Sequence, residues 1–128
     1  MSAPHGIRLS TVNIGAPDPL ALARFYAALL GWRVDEESAD PTWAVVRPPG
    51  GGVSISCQYE DPFVAPVWPA GPGQQQMQLH LEVQVDDLDG AAEHALACGA
   101  TLAEFQPQDD VRVCLDPVGH PFCLWIES

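Results

Sequence analysis

From Gln78 to Val85 polar and apolar residues alternate without a break. Successive side chains of a strand point to opposite faces, so Leu79, Leu81, Val83 and Val85 share one side and Gln78, His80, Glu82 and Gln84 the other. The apolar side seeks a core. The polar side carries an imidazole and a carboxylate two residues apart, projecting from one face.

The same reading along the chain yields a repeat. Residues 1–7 form a short leader, and Leu9–Ile14 reads as a strand. Gly15-Ala16-Pro17-Asp18-Pro19 breaks it. Asp18 is a good N-cap, Pro19 suits the first helical position and Gly31 the C-cap. Leu20, Ala23, Phe25, Tyr26, Leu29 and Leu30 recur between them at helical spacing. Strands follow at Trp32–Val34, Trp43–Arg47 and Val53–Tyr59. The Pro- and Gly-rich residues 60–77 read as a linker, anchored by Phe63, Val67 and Trp68.

After the strand at 78–85, Asp86-Asp87-Leu88-Asp89 offers several helix caps. Ala91, Ala92, Ala95 and Leu96 make a helical stripe, ended by Gly99. Strands follow at Ala100–Phe105, Val111–Leu115 and Phe122–Glu127, with a turn at Asp116–Pro121. Both halves read β-α-β-β-β, as module one (8–59) and module two (78–128) of one domain. Thirteen residues separate Asp18 from Gly31, and thirteen separate Asp86 from Gly99. Allowing one extra residue in the first turn, Thr11 stands opposite His80 and Asn13 opposite Glu82. The expected fold is α+β, with two tandem modules forming a curved mixed sheet, an open barrel around a central cup with helices outside.

Composition narrows the partners. Of 128 residues, 17 are acidic and five are arginine, with no lysine, for a net charge of −12. Phosphate binding needs a basic patch, so nucleic acid and anionic membrane are excluded as partners. No apolar run nears the roughly 18 residues of a membrane span, and no signal peptide is expected. Cys57, Cys98, Cys114 and Cys123 lack C-x-x-C spacing and read as reduced thiols of a cytoplasmic protein.

His80 can serve as a metal ligand, an acid/base group, a hydrogen-bond partner of a ligand, or a structural histidine satisfied by its neighbours. Glu82 can orient it and stabilise its charge. Trp43, Trp68, Trp125 and Tyr59 are candidate walls for an apolar ligand or plain core. Trp125 shares a strand face with Cys123, whose action as a nucleophile would need an activating base. Arg47 and Arg112 can hold a carboxylate or lie on the surface. His120 reads as a turn residue; His5 and His94 read as exposed.

Three stretches together resemble the vicinal oxygen chelate superfamily: Phe25-Tyr26-Ala27-Ala28-Leu29-Leu30-Gly31-Trp32, Leu79-His80-Leu81-Glu82-Val83 and Asp116-Pro117-Val118-Gly119-His120-Pro121-Phe122. This is the group of glyoxalase I, bleomycin resistance proteins and extradiol dioxygenases, and the nearest likeness is to bacterial glyoxalase-like domains. The resemblance implies a homodimer and a small organic ligand. It implies metal ligands on the first and last strand of each module, which carry over to Thr11, Ser56 (with Gln58 on the same face), His80 and Cys123. Only His80 is a good match; a lone thiolate with one histidine is no Mg²⁺, Mn²⁺ or Fe²⁺ site. The leading expectation is a metal-poor or metal-free enzyme with His80 and Glu82 as the catalytic pair. Thr11, Asn13, Trp43, Ser56, Gln58, Trp68, Cys123 and Trp125 are expected to contact the ligand. A non-catalytic drug-binding protein is the alternative. A second is a divalent-metal lyase, isomerase or dioxygenase.

Overall fold

In this computed structural model residues 3–127 are described. Residues 1 and 2 of the expected leader, and Ser128 of the second module, lie outside the described residues. The chain divides into two units, residues 1–61 and 62–128.

The first unit contains β1 (Thr11–Ala16), α1 (Pro19–Leu30), β2 (Arg33–Val34), β3 (Trp43–Arg47) and β4 (Ser54–Tyr59). Its sheet has the order β1-β4-β3-β2, with β1 parallel to β4 and the other pairs antiparallel. The second unit repeats the pattern with β5 (Leu81–Gln84), α2 (Leu88–Cys98), β6 (Thr101–Leu102), β7 (Val111–Leu115) and β8 (Pro121–Trp125). Its order is β5-β8-β7-β6, and again only the first and last strands are parallel. A parallel pair needs a crossover connection, which the helix and the intervening hairpin supply. The residues 62–77 of the expected linker belong to this unit. There Phe63 meets the His120 ring edge-on at 5.5 Å, and Trp68 stacks on Phe105 at 5.7 Å.

Local chemistry fixes the helices. The Asp18 carboxylate accepts from the backbone N–H of Ala21, Pro19 opens α1, and Gly31 ends it at φ 70°. Left-handed backbone of that kind is glycine's ordinary territory. Leu22, Ala23, Phe25 and Tyr26 are its buried stripe, with Tyr26 only 1% exposed. Burying one such large side chain contributes about 1.5–3 kcal/mol. They pack on β3 and β4, where Val46, Ile55 and Cys57 are buried. The other face of this sheet carries Thr11, Asn13, Ser56 and Gln58.

Several boundaries differ from the sequence reading. β1 begins at Thr11, not Leu9, and β5 at Leu81, not Gln78. Thr11 pairs with Ser54 and Leu81 with Phe122, so residues further back have only the Gly50–Gly52 loop or the Asp116–His120 turn beside them. Leu9 and Leu79 are consequently exposed. β1 runs on through Gly15 and Ala16, the residues read as its break. β6 is two residues long, not six, and β8 starts at Pro121 and ends at Trp125. The α1 stripe uses Leu22 instead of Leu20. On α2 it is Leu88, Ala92 and Ala95 that are buried, while Leu96 is exposed. The α2 cap is Asp87, whose carboxylate accepts from the Gly90 N–H. Asp18 therefore aligns with Asp87, and Thr11–His80 and Asn13–Glu82 correspond with no extra residue.

The turn before β8 is held by one buried carboxylate. Asp116, 3% exposed, accepts from the N–H groups of Val118 at 3.0 Å and His120 at 2.9 Å. Gly119 sits at φ 104°, and an added Cβ would come within 3.1 Å of Ala65 Cβ. Leaving buried donors unsatisfied costs about 1–3 kcal/mol. Asp116→Ala is therefore expected to lower the unfolding free energy by roughly that amount in urea titrations. An unchanged midpoint would show that the carboxylate does not hold the turn.

Candidate functional site

The parallel pairing of first and last strands brings the candidate residues together. Asn13 is the register partner of Ser56 on β4, and Glu82 that of Cys123 on β8. Thr11 and His80 stand two residues earlier, on the same side. Each unit thus builds one triangle of side chains at the corresponding place, on the sheet face away from its helix.

In the first unit the triangle is neutral. Thr11 Oγ1 lies 3.1 Å from the Ser54 carbonyl and 3.2 Å from Ser56 Oγ. Ser56, fully buried, donates to Asn13 Oδ1 at 3.0 Å. Asn13 Nδ2 donates to Gln58 Oε1, and Gln58 Nε2 to Glu60 Oε1, both at 2.5 Å. Gly15 leaves room for this chain, since a Cβ there would meet Glu60 Cγ at 2.7 Å. Thr11, Asn13, Ser56 and Gln58 are thus joined, each satisfied by the next.

In the second unit the triangle is ionisable. His80 Nε2 lies 2.5 Å from Glu82 Oε2, with both side chains reached by solvent. The Cys123 thiol bonds to the Glu82 carboxylate. Burial first, and then the charge and hydrogen bond of Glu82, push its pKa up to about 12. Cys114 behind it is pushed up to about 11 by burial. A cysteine nucleophile needs a lowered pKa, so Cys123 is a neutral hydrogen-bond donor at physiological pH. His80, Glu82 and Cys123 face a cavity of about 200 Å³, together with Trp68 and Met77 from residues 62–77 and with Val111 and Val113 on β7.

Of the expected residues, His80, Glu82, Trp68 and Cys123 meet in this cavity. Trp125 is on the same sheet face as Cys123 but does not line it. Trp43 is half-buried on β3 as the partner of Gln58. Tyr59 is 47% exposed at the end of β4. Arg47 is gripped by Asp35 at 3.1 Å, which holds that carboxyl below its usual range. Arg112 donates to the carbonyls of Asp109 and Val111. His5 and His94 are exposed. Met77 and the turn residues Pro107 and Gln108, which also line the cavity, carried no signal in the pattern. Val111 and Val113 did carry one: they alternate with Arg112 on a strand whose partner bears Cys123.

The donor atoms of His80, Glu82 and Cys123 lie within 4.8 Å of one another, close enough to face one metal ion. Imidazole, carboxylate and thiol suit a zinc-like ion, whereas Mg²⁺ and Mn²⁺ want oxygen ligands. A four-strand ligand set does not fit: the Thr11 and Ser56 hydroxyls are bonded within their own network and are poor donors.

The glyoxalase-like domain family matches residues 11–125, and the chain belongs to that family. Solved structures of similar fold include a glyoxalase/bleomycin resistance protein/dioxygenase family enzyme from Burkholderia phytofirmans PsJN. It is 22% identical at a TM-score of 0.70, over 94% of this chain and 98% of the other. A glyoxalase-related enzyme from Fulvimarina pelagi is 17% identical at 0.67, over 94% and 88%. TnmS3, an antibiotic binding protein from Streptomyces sp. CB03234, is 18% identical at 0.63, over 98% and 100%. No curated protein sequence matches the chain. The likeness establishes the α+β glyoxalase-like fold expected from the repeat. No helix among the described residues is long and apolar enough to cross a membrane.

The thiols give a pH signature. An unfolded cysteine ionises near pH 8.5, so the stability tied to a neutral buried thiol is whole below that pH and is lost as pH climbs toward the folded value. Melting temperature is expected to fall between pH 8.5 and 11, less steeply in Cys123→Ser. At pH 9 iodoacetamide should modify Cys123 on the order of a hundredfold more slowly than free cysteine, and faster in Glu82→Gln. Equal rates in protein and free amino acid would refute the neutral thiol.

Proposed function

We propose that the chain is a metal-poor or metal-free glyoxalase-like enzyme acting on a small organic molecule, with His80 as its acid/base or polarising group. The observation that carries this reading is the His80–Glu82 pair, at 2.5 Å, on the wall of the second unit's cavity. With its hydrogen on Nε2 and held by Glu82, the imidazole keeps a lone pair on Nδ1. That nitrogen takes a proton from a C–H or O–H of the substrate, and the carboxylate stabilises the imidazolium that forms. Cys123 lies beside the same carboxylate and helps to hold it. The reaction class is lyase- or isomerase-like, in keeping with the family. Trp68 and Cys123 are the ligand contacts of this cavity. In the first unit Thr11, Asn13, Ser56 and Gln58 are assigned to hydrogen bonding, not proton transfer, and Trp43 and Trp125 to apolar surface. One family profile spanning residues 11–125 supports treating both units as one glyoxalase-like domain.

A second reading, a binding protein without chemistry, is supported by the Trp68–Phe105 stack and by the antibiotic-binding neighbour. A third uses His80, Glu82 and Cys123 as ligands of a divalent metal, supported by their spacing. We place the protein in the cytoplasm, since all four cysteines are free thiols. We propose a homodimer, since β1 and β5 are edge strands and Leu9 and Leu79 beside them are exposed.

The test is proton exchange in D₂O, followed by NMR over a panel of small carbonyl compounds. Wild type is expected to exchange a C–H next to the carbonyl of at least one compound, and His80→Asn to lose about 10²–10⁴-fold of the rate while still binding it. Exchange that survives in His80→Asn contradicts the assignment, and binding without exchange selects the second reading. Native mass spectrometry of protein purified without a nickel column is expected to give a metal-free dimer. One zinc per chain, lost in His80→Ala, selects the third reading.

A further inference from the structure

We propose that the cavity of the second unit selects a small ligand with a cationic nitrogen on a flat apolar body. This rests on reading that cavity as a ligand site. Its formal negative charge is the Glu82 carboxylate, and its aromatic wall is Trp68, fixed in plane by Phe105 at 23° between the rings. Met77 and Cys123 add polarisable sulfur. No guanidinium of the second unit opposes them. The chain has no lysine. Arg112, the one arginine of the second unit, alternates with the cavity-facing Val111 and Val113, so it projects from the opposite face. There its guanidinium donates to two backbone carbonyls and approaches Asp89 at 3.9 Å.

An anion entering this cavity would find the Gln108 amide and His80, and His80 is already turned to Glu82. A protonated amine finds a carboxylate with lone pairs to spare and an indole face whose quadrupole attracts cations. The volume of about 200 Å³ is below the usual 300–1,000 Å³ of drug-sized sites, which sets the ligand's scale. The net charge of −12 favours the approach of cations in general. The test must therefore separate that field from the site.

Benzylamine, benzyl alcohol and benzoate share a shape and differ in charge. Protein-observed NMR titrations at pH 7 are expected to rank benzylamine at least tenfold above benzyl alcohol, with benzoate weakest. Glu82→Gln removes one of seventeen acids, so the general field persists. It is nonetheless expected to bring benzylamine down to the affinity of benzyl alcohol, leaving the alcohol unchanged and so reporting an intact fold. Trp68→Ala should weaken both. Equal affinity for the amine and the alcohol, or a benzylamine preference that survives in Glu82→Gln, overturns the charge selection while keeping the ligand site. Failure of all three to shift cavity resonances overturns the ligand site and the inference with it.

Discussion

The parallel register of the first strand against the last, in each unit, is the constraint on which everything else depends. It is set by backbone hydrogen bonds from Thr11↔Ser54 onward and from Leu81↔Phe122 onward. A slip of one residue would turn every side chain of the strand to the other face. In the present register positions i and i+2 of the first strand meet one residue of the last. The helix covers the opposite face and supplies the apolar core that pays for the arrangement.

The same triangle has been filled in two ways. Thr11, Asn13 and Ser56 satisfy one another as neutral groups and extend through Gln58 to Glu60. That pattern stabilises a sheet face, because a buried hydroxyl such as Ser56 keeps its partners. His80, Glu82 and Cys123 are ionisable instead: an imidazole against a carboxylate, with a thiol held neutral behind it. Ionisable side chains gathered at one cavity wall are what acid/base chemistry requires. Duplication gave two copies of the geometry, and the second copy bears the reactive residue types.

The repeat, both helix caps of α1, the strands Trp43–Arg47 and Val111–Leu115 and the pairing of His80 with Glu82 were legible because each is encoded locally: period-2 alternation, an Asp-Pro start, a glycine stop. The strand starts were not. Leu9 and Leu79 look like core in the pattern, but the partner strand has already turned away, and only the register reveals it. The α2 cap was ambiguous among three aspartates, and Asp87 was settled by its bond to Gly90. In the cavity, Trp68 was legible as an aromatic in a Pro-rich segment. Met77 was not, because no periodicity runs through residues 60–77. The bond from Cys123 to Glu82 was hidden as well, since it joins two strands about forty residues apart and depends on register.

The division of labour between the two triangles is tested most directly by comparing substitutions at the corresponding positions Thr11 and His80, measuring unfolding free energy and proton-exchange rate on the same samples. Thr11→Ala is expected to cost about 1–2 kcal/mol of stability and keep the exchange rate within about threefold. His80→Ala is expected to change stability by about 0.5 kcal/mol or less, as exposed positions do, and to abolish exchange. If the two substitutions acted alike, or if His80→Ala unfolded the protein and Thr11→Ala stopped the exchange, the account would be wrong.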